Sequence, residues 1–268
     1  ELVRMAIGDR KITTLLRGYH YTKAAYVESI LRGDRIHFYC TKLENFSDKF
    51  EGRIIEVYYD LALEKLEKQG IIDTNVRREL SEIDPSDNRA FINEVESKRS
   101  FIVSEFDTFV LCFSKASQNL YMYENYADTP EEYGYCIEMC PQSYVGMVSN
   151  GISTAGVAIE FREVLYGSQI VDHLAETVQK ILENIRGEDP SILQIMVKPI
   201  IKQELNKMRF SAKFSKFSNE NEFRMVLQCP VGKMVDYNGP YFSVKRILNE
   251  SNGKEVMDFG IHRAIFRG

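Results

Sequence analysis

Glu222-Phe223-Arg224-Met225-Val226-Leu227-Gln228 decides how the fold is read. Phe223, Met225 and Leu227 recur at every second position, so a strand would show them on one side and Glu222 and Arg224 on the other. A second run, Phe109-Val110-Leu111-Cys112-Phe113, is apolar without alternation, as expected of a central strand covered on both faces. Working outward, further strands are expected over residues 15–21, 36–40, 133–139 and 157–166. The final segment, around 241–244 and 264–266, would supply edge strands.

Helices are expected between these strands. Thr22 can cap one whose apolar face is Ala25, Tyr26, Ser29 and Ile30, with Gly33 placed to end it. Two are expected between 54 and 106. The first carries Ile54, Tyr58, Leu61 and Leu66, and the second starts near Asp87 and carries Phe91, Val95 and Ile102. Ser168 caps an amphipathic helix of Ile170, Val171, Leu174, Val178, Ile181, Leu182 and Ile185, closed by Gly187. Asp189-Pro190 reads as another helix start, and Pro199 should kink or break that helix. The stretches near 54–106 and 168–209 read as helical insertions between strands. Strands and helices do not alternate strictly, so the expectation is a single α+β domain over 1–268 with a mixed, mostly antiparallel central sheet.

The chain has 268 residues, 44% of them hydrophobic, enough for a sizeable core. Its formal net charge is −5, from 34 basic and 39 acidic residues, which gives no general electrostatic footprint for nucleic acid. No apolar run approaches the ~20 residues of a membrane span and no opening stretch reads as a signal peptide, so a cytoplasmic location without a membrane partner is expected. Cys40, Cys112, Cys136, Cys140 and Cys229 are odd in number and several lie in apolar runs, the pattern of buried free thiols in a reducing compartment. Cys136 and Cys140 lie on an expected strand with no second Cys or His pair nearby, so no metal is expected.

The common chemical signatures are missing. There is no glycine-rich phosphate loop, no His-Glu-x-x-His and no Gly-x-Ser-x-Gly. The four histidines are His20, His37, His173 and His262, and nothing in their spacing supports a Ser-His-Asp arrangement.

Four segments remain, each with a structural and a functional reading. In Tyr19-His20-Tyr21-Thr22 a strand turns into a helix whose N-terminus favours anionic or hydroxyl groups; His20 and Thr22 are either ligand contacts or a satisfied histidine and a cap. In Phe46-Ser47-Asp48-Lys49-Phe50-Glu51-Gly52, Asp48 and Glu51 either order a loop or face a ligand. Cys112-Phe113-Ser114 leads to Leu120-Tyr121-Met122-Tyr123-Glu124-Asn125-Tyr126, where Tyr123 and Tyr126 share a helix face that is either core or a stacking surface. In Asn219-Glu220-Asn221-Glu222-Phe223-Arg224, Glu222 and Arg224 form either a solvated charge pair or the wall of a cleft.

In this order, the segments resemble a bacterial family, domain-of-unknown-function family 2971, across nearly the whole chain. Tyr19-His20-Tyr21-Thr22 matches its opening strand, and Ile30-Leu31-Arg32-Gly33 matches its helix stop. Ser47-Asp48-Lys49-Phe50-Glu51 matches its Asn-Asp-Pro-Phe-Glu loop, with Ser47 and Lys49 departing from it. Cys112-Phe113-Ser114, Gly134-Tyr135-Cys136-Ile137-Glu138 and Glu220-Asn221-Glu222-Phe223-Arg224 match its strands, and Met122-Tyr123-Glu124-Asn125-Tyr126-Ala127 matches its Met-Trp-x-x-Tyr-Ala helix with Tyr123 in place of the Trp. The family carries no assigned reaction.

The order His, Tyr, Glu also resembles, more loosely, the layout of ADP-ribosyltransferase folds. That likeness implies an NAD-using transferase or glycohydrolase acting on an unknown acceptor. His20 and Thr22 would hold NAD, Tyr123 or Tyr126 would stack on nicotinamide, and Glu222 would bind the ribose 2′-hydroxyl and stabilise an oxocarbenium-like transition state. Ser114, Arg224, Asp48 and Glu51 are the further site candidates. On this reading Glu222→Gln abolishes turnover with little loss of folding. The competing reading, from the family's setting, is a non-catalytic ligand-binding or sensor module in phage defence or stress response. A hydrolase built on Asp48, Glu51 and Glu138 ranks last, for want of a metal-ligand spacing.

Overall fold

The structure, a computed structural model, describes residues 17–46, 48, 50–84, 89–92, 102–129, 132–139, 156–185, 196–239, 242–249 and 252–263. It is an α+β protein with a mostly antiparallel sheet. Its contacts divide it into two compact units of interleaved segments. One contains Asp48–Phe106 and Leu165–Lys216, the other Lys11–Ser47, Asp107–Val164 and Phe217–Gly268.

The second of these is the sheet unit. Its strands are β1 (Gly18–Thr22), β2 (Arg35–Lys42), β4 (Ile102–Ser114, from Asp107 onward), β5 (Tyr135–Met139), β6 (Ala158–Glu163), β9 (Glu222–Pro230), β10 (Asp236–Asn238), β11 (Phe242–Leu248) and β12 (Glu255–His262). Their order is β10-β11-β12-β2-β4-β1-β5, with β9 also on β4 and β6 on β9. β11, which contains the expected 242–244, lies between β10 and β12, so the expectation of an edge strand fails there, and 264–266 lies outside the described residues.

Period two builds the core of this unit. Phe38 and Cys40, Phe109, Leu111 and Phe113, Phe223, Met225 and Leu227, Val244, Met257 and Phe259 all turn to one face and are buried together. Phe113 and Phe223 stack at 5.1 Å between ring centroids. Gly18 permits this, because a Cβ there would lie 2.5 Å from the Phe223 ring. α1 (Ala24–Ile30) adds Ile30 to the same core. Thr22 does not cap α1. It is the last residue of β1 and buried, and Lys23 stands at the N-cap position without a side-chain bond.

The helical unit comprises the two stretches expected as insertions. α2 (Ile55–Lys68), α3 (Thr74–Ser81), α5 (Ser168–Asn184) and α6 (Lys198–Met208) bury one core of Ile55, Tyr59, Leu63, Leu66, Leu80, Ile170, Leu174, Val178, Ile201 and Leu205. Of the expected stripe, Ile54 and Leu66 are buried and Tyr58 packs against the same core, but the stripe runs on through Ile55, Tyr59, Ala62 and Leu63, which leaves Leu61 exposed. Asp73 caps α3, accepting from the Asn75 and Val76 amides at 2.8 and 2.9 Å. Ser168 begins α5 rather than capping it; the cap position is Gly167, at φ 55°. Pro199 sits in the first turn of α6, where no intrahelical N–H is needed, so it starts the helix instead of breaking it.

The expected helix from Asp87 is absent where the chain is described. β3 (Arg89–Ile92) pairs antiparallel with Ile102–Glu105 of β4. Short apolar spacings fit a strand as well as a helix, and the ladder wins because β4 offers it a partner. Gly187 and Asp189-Pro190 lie outside the described residues. A short parallel pair, β7 (Leu165–Tyr166) with β8 (Ala212–Lys213), completes the unit. Among the described residues no helix is long and apolar enough to cross a membrane.

Candidate functional site

The end of β4 and the turn before β9 are tied together by side chains. A 3₁₀ turn, Ser215–Glu220, leads into Asn221, whose φ of 46° reverses the chain. Buried Ser114 donates its hydroxyl to the Glu220 carbonyl at 2.8 Å. The Lys115 amide donates to the Asn221 carbonyl at 2.8 Å, and Asn119 Nδ2 donates to the Asn219 carbonyl at 2.6 Å. Ser114 is thus a clamp on the turn that delivers two carboxylates, Glu220 and Glu222.

Both carboxylates are buried, at 1% and 2% exposure. Glu220 Oε1 accepts from the Tyr126 hydroxyl at 2.6 Å. Glu222 Oε1 accepts from Arg224 Nε at 2.8 Å, and Arg224 is itself fully buried, with its guanidinium 5.9 Å from the Phe46 ring. β9 is covered on both sides along most of its length, so this is a buried ion pair and not a solvated one. A buried pair of this kind is strongly destabilised when one partner is removed.

The tyrosines occupy the other side of β1 from His20. A short helix α4 (Leu120–Met122) runs into a π turn, Tyr123–Ala127, closed by the Asp128 amide donating to the Tyr123 carbonyl at 2.8 Å. Turns of this type recur at functional sites. Tyr21 and Tyr123 meet edge to face at 4.8 Å, and Tyr19, Tyr121 and Cys136 pack on the same cluster. The Tyr21 hydroxyl donates to the Ala116 carbonyl at 2.6 Å, and burial pushes its pKa up to about 12. Gly134 closes on the turn so tightly that a Cβ would lie 2.3 Å from that of Ala127. Tyr126 keeps 43% exposure although its hydroxyl is anchored.

His20 is held apart from these groups. β2 meets β4 at Phe109 and Val110, and β1 meets it at Ser114. Between them, His20 Nδ1 lies 3.3 Å from the Cys112 carbonyl, which makes it the protonated ring nitrogen. The ring sits edge-on to Phe38 at 5.3 Å and to Phe113 at 6.2 Å. Burial among these rings lowers its pKa, partly opposed by the Cys112 bond. A depressed histidine contributes stability above the unfolded value near 6.5, lost as pH falls through the folded value. Acidification from pH 7 to 5 is therefore expected to lower the melting temperature of the wild type more than that of His20→Gln; equal slopes in a pH series of thermal melts would contradict this.

Of the expected site residues, the structure brings Ser114 and Tyr126 to Glu220, a residue outside that expected set, and pairs Glu222 with Arg224. It places His20 and Tyr123 on opposite faces of β1. Thr22 is buried at the strand end. Asp48 and Glu51 belong to the helical unit, where the Asp48 carboxylate accepts from the Phe50 amide at 3.0 Å and its carbonyl from the Glu51 amide at 3.0 Å, a turn-ordering role. Ser47 and Lys49 lie outside the described residues, as does Cys140. Glu138 is half-exposed and pairs with Arg17 at 3.1 Å. A groove of about 480 Å³ along α2 and α5 is lined by Leu61, Lys65, Lys68, Val171 and Asp172 and contains none of the candidates. Among the described residues no group of three or more His, Cys, Asp or Glu is placed to hold a metal ion.

Sequence reasoning missed a second charge cluster, built around buried Asp107. Arg246 Nη2 donates to Asp107 at 2.6 Å and to Glu255 at 2.7 Å, and Lys42 Nζ reaches Asp107 at 2.8 Å. These residues come from β2, β4, β11 and β12 and close one end of the aromatic core, where Arg246 lies 5.6 Å from the Phe109 ring. No spacing signal links them, because the contacts are made only across strands.

In comparisons with known proteins, no family model, no curated protein and no solved structure matches this chain. The class that fold and site define is an α+β protein with a tyrosine-bearing turn set on a buried carboxylate.

Proposed function

We propose that the chain is a ligand-binding module whose sheet unit takes a planar heteroaromatic ring on Tyr126, with NAD the first ligand to test. The supporting observation is the state of Tyr126. Its ring is open to solvent while its hydroxyl is fixed on the buried Glu220 carboxylate, so the stacking face is oriented before any ligand arrives. Rigid aromatic faces lose little conformational freedom on binding. The half-buried Tyr123 and Tyr121 extend the apolar border of that face.

The same geometry speaks against transfer chemistry at Glu222. A carboxylate committed to a buried guanidinium is poorly placed to hold a ribose hydroxyl, and a neutral His20 wedged between phenylalanines is poorly placed to hold another. The sensor reading of the family resemblance fits better, because these residues then serve as frame.

Calorimetric titration with NAD, adenosine monophosphate and nicotinamide tests the proposal. Base–aromatic stacking contributes about 1–3 kcal/mol, so Tyr126→Ala is expected to weaken binding roughly tenfold or more. Glu220→Gln, which loosens the ring, is expected to weaken it less. Equal affinity of the wild type and Tyr126→Ala for all three ligands, or no binding to folded wild type, would overturn it.

A further inference from the structure

On β2, β12 and β11, the residues His37, Gly260 and Ser243 stand directly opposite one another in a row across three strands. Their side chains are on the face turned away from the aromatic core, which takes Phe38, Phe259 and Val244 from the same strands. Gly260 leaves a notch between its neighbours. A Cβ at that position would lie 2.5 Å from Ser243 Oγ, 3.3 Å from His37 Cε1 and 3.2 Å from Arg35 Cδ. The serine and the imidazole therefore lean over one glycine from the two flanking strands.

The imidazole is oriented from behind. His37 Nδ1 lies 3.0 and 3.2 Å from the two oxygens of Asp258. When neutral, the ring must carry its proton on Nδ1 to make this contact, which leaves a lone pair on Nε2. Neither Nε2 nor Ser243 Oγ makes a hydrogen bond within the described residues, and the His37 and Asp258 side chains are 25% and 19% exposed, reachable yet held. Arg35 crosses the same notch with Nη2 tied to Asn238 Oδ1 at 2.9 Å and to the Gly239 carbonyl at 2.8 Å, placing a fixed positive charge beside it.

We propose that Ser243, His37 and Asp258 around Gly260 form a second, hydrolytic site for small carboxylic esters, with Ser243 the nucleophile, His37 the general base and Asp258 the positioning residue. Ser243 Oγ bonds to the ester carbonyl carbon as its proton passes to His37 Nε2, and the carbonyl π pair moves onto oxygen near Arg35. Collapse of that intermediate breaks the ester C–O bond, and the leaving alkoxide takes the proton from His37. Water, deprotonated by the same nitrogen, then cleaves the acyl-serine to a carboxylic acid and regenerates the hydroxyl. Base and orienter are recognised here by their contact and the nucleophile by its place across the Gly260 notch, where a bound ester would bring Ser243 Oγ to His37 Nε2; no sequence motif joins the three. The shallow setting on an open sheet face suits small, activated esters.

The test is covalent labelling of the full chain with a fluorophosphonate, read by peptide mass spectrometry, alongside p-nitrophenyl acetate hydrolysis. The wild type is expected to carry the adduct on Ser243, with labelling lost in Ser243→Ala and slowed at least tenfold in His37→Gln. Asp258→Asn should slow it and Asp258→Glu restore it, at unchanged melting temperature, which a merely structural carboxylate would not produce. Absence of an adduct on Ser243 in folded wild-type protein, or labelling indifferent to His37→Gln, would overturn the proposal. NAD titration of Ser243→Ala separates this site from the tyrosine face, because binding there is expected to be unchanged.

Discussion

Glu222→Gln is expected to lower the stability of the protein by about 3 kcal/mol, because it removes one charge from a fully buried ion pair with Arg224. For a chain of this size that corresponds to a fall in melting temperature of roughly 10 °C. The amide keeps an oxygen acceptor for Arg224 Nε, so the loss reflects charge more than shape. The double variant Glu222→Gln/Arg224→Met removes both charges, and apolar replacements of buried pairs are often neutral. It should melt closer to the wild type than the single variant does. Thermal melts of the three proteins check both statements, and the difference between them gives the coupling directly. A transferase carboxylate would behave in the opposite way, with turnover lost and melting unchanged.

The second large effect is expected at Arg246→Met. The substitution leaves buried Asp107 and partly buried Glu255 to share Lys42 alone, at a cost of about 3 kcal/mol. It should also change how stability depends on pH. Burial alone would raise the Asp107 pKa, but hydrogen bonds from Lys42 and Arg246 outweigh it and hold the group below the usual value. Hydrogen bonding to Arg246 does the same for Glu255. Depressed carboxylates contribute stability that is present above their unfolded values, near 4, and lost as pH falls through the folded ones. The wild type should therefore lose stability steeply below about pH 4, while Arg246→Met starts lower and falls less over the same interval. Parallel curves for the two proteins in acid urea titrations would show that Arg246 does not hold these carboxylates.

How much of this was legible in the sequence depends on the range of the contacts. The alternation of Phe223, Met225 and Leu227 and the unbroken run Phe109–Phe113 are local signals, and both became the core strands they implied. The amphipathic spacing of Ile170, Leu174, Val178 and Ile181 likewise became one buried helix face. The region from Asp87 did not read correctly, because its apolar residues fit two periods and only pairing with β4 selects between them. Thr22 and Ser168 looked like caps by residue type alone, yet one finishes a strand and the other lies within the helix.

For the candidate site, period two gave the shared face of Glu222 and Arg224 but not their burial, since groups near them, such as Phe46 5.9 Å from the Arg224 guanidinium, are far away in sequence. Period two also put His20 and Tyr21 on opposite sides of β1; the order His, Tyr, Glu along the chain carries no such geometric information. The Ser243–Gly260–His37 row was invisible for the same reason as the Arg246 cluster, since registers between strands far apart in sequence are not written in local spacing.

In the proposed function Tyr126 offers the binding face while Glu222 belongs to the frame. Incubating the wild-type protein with NAD, with nicotinamide quantified over time beside a thermal melt of the same mixture, tests it most directly. The account predicts a raised melting temperature, as for any ligand that binds only the native state, and no nicotinamide above a protein-free control. Nicotinamide release that disappears in a Glu222→Gln protein of unchanged melting temperature would contradict it.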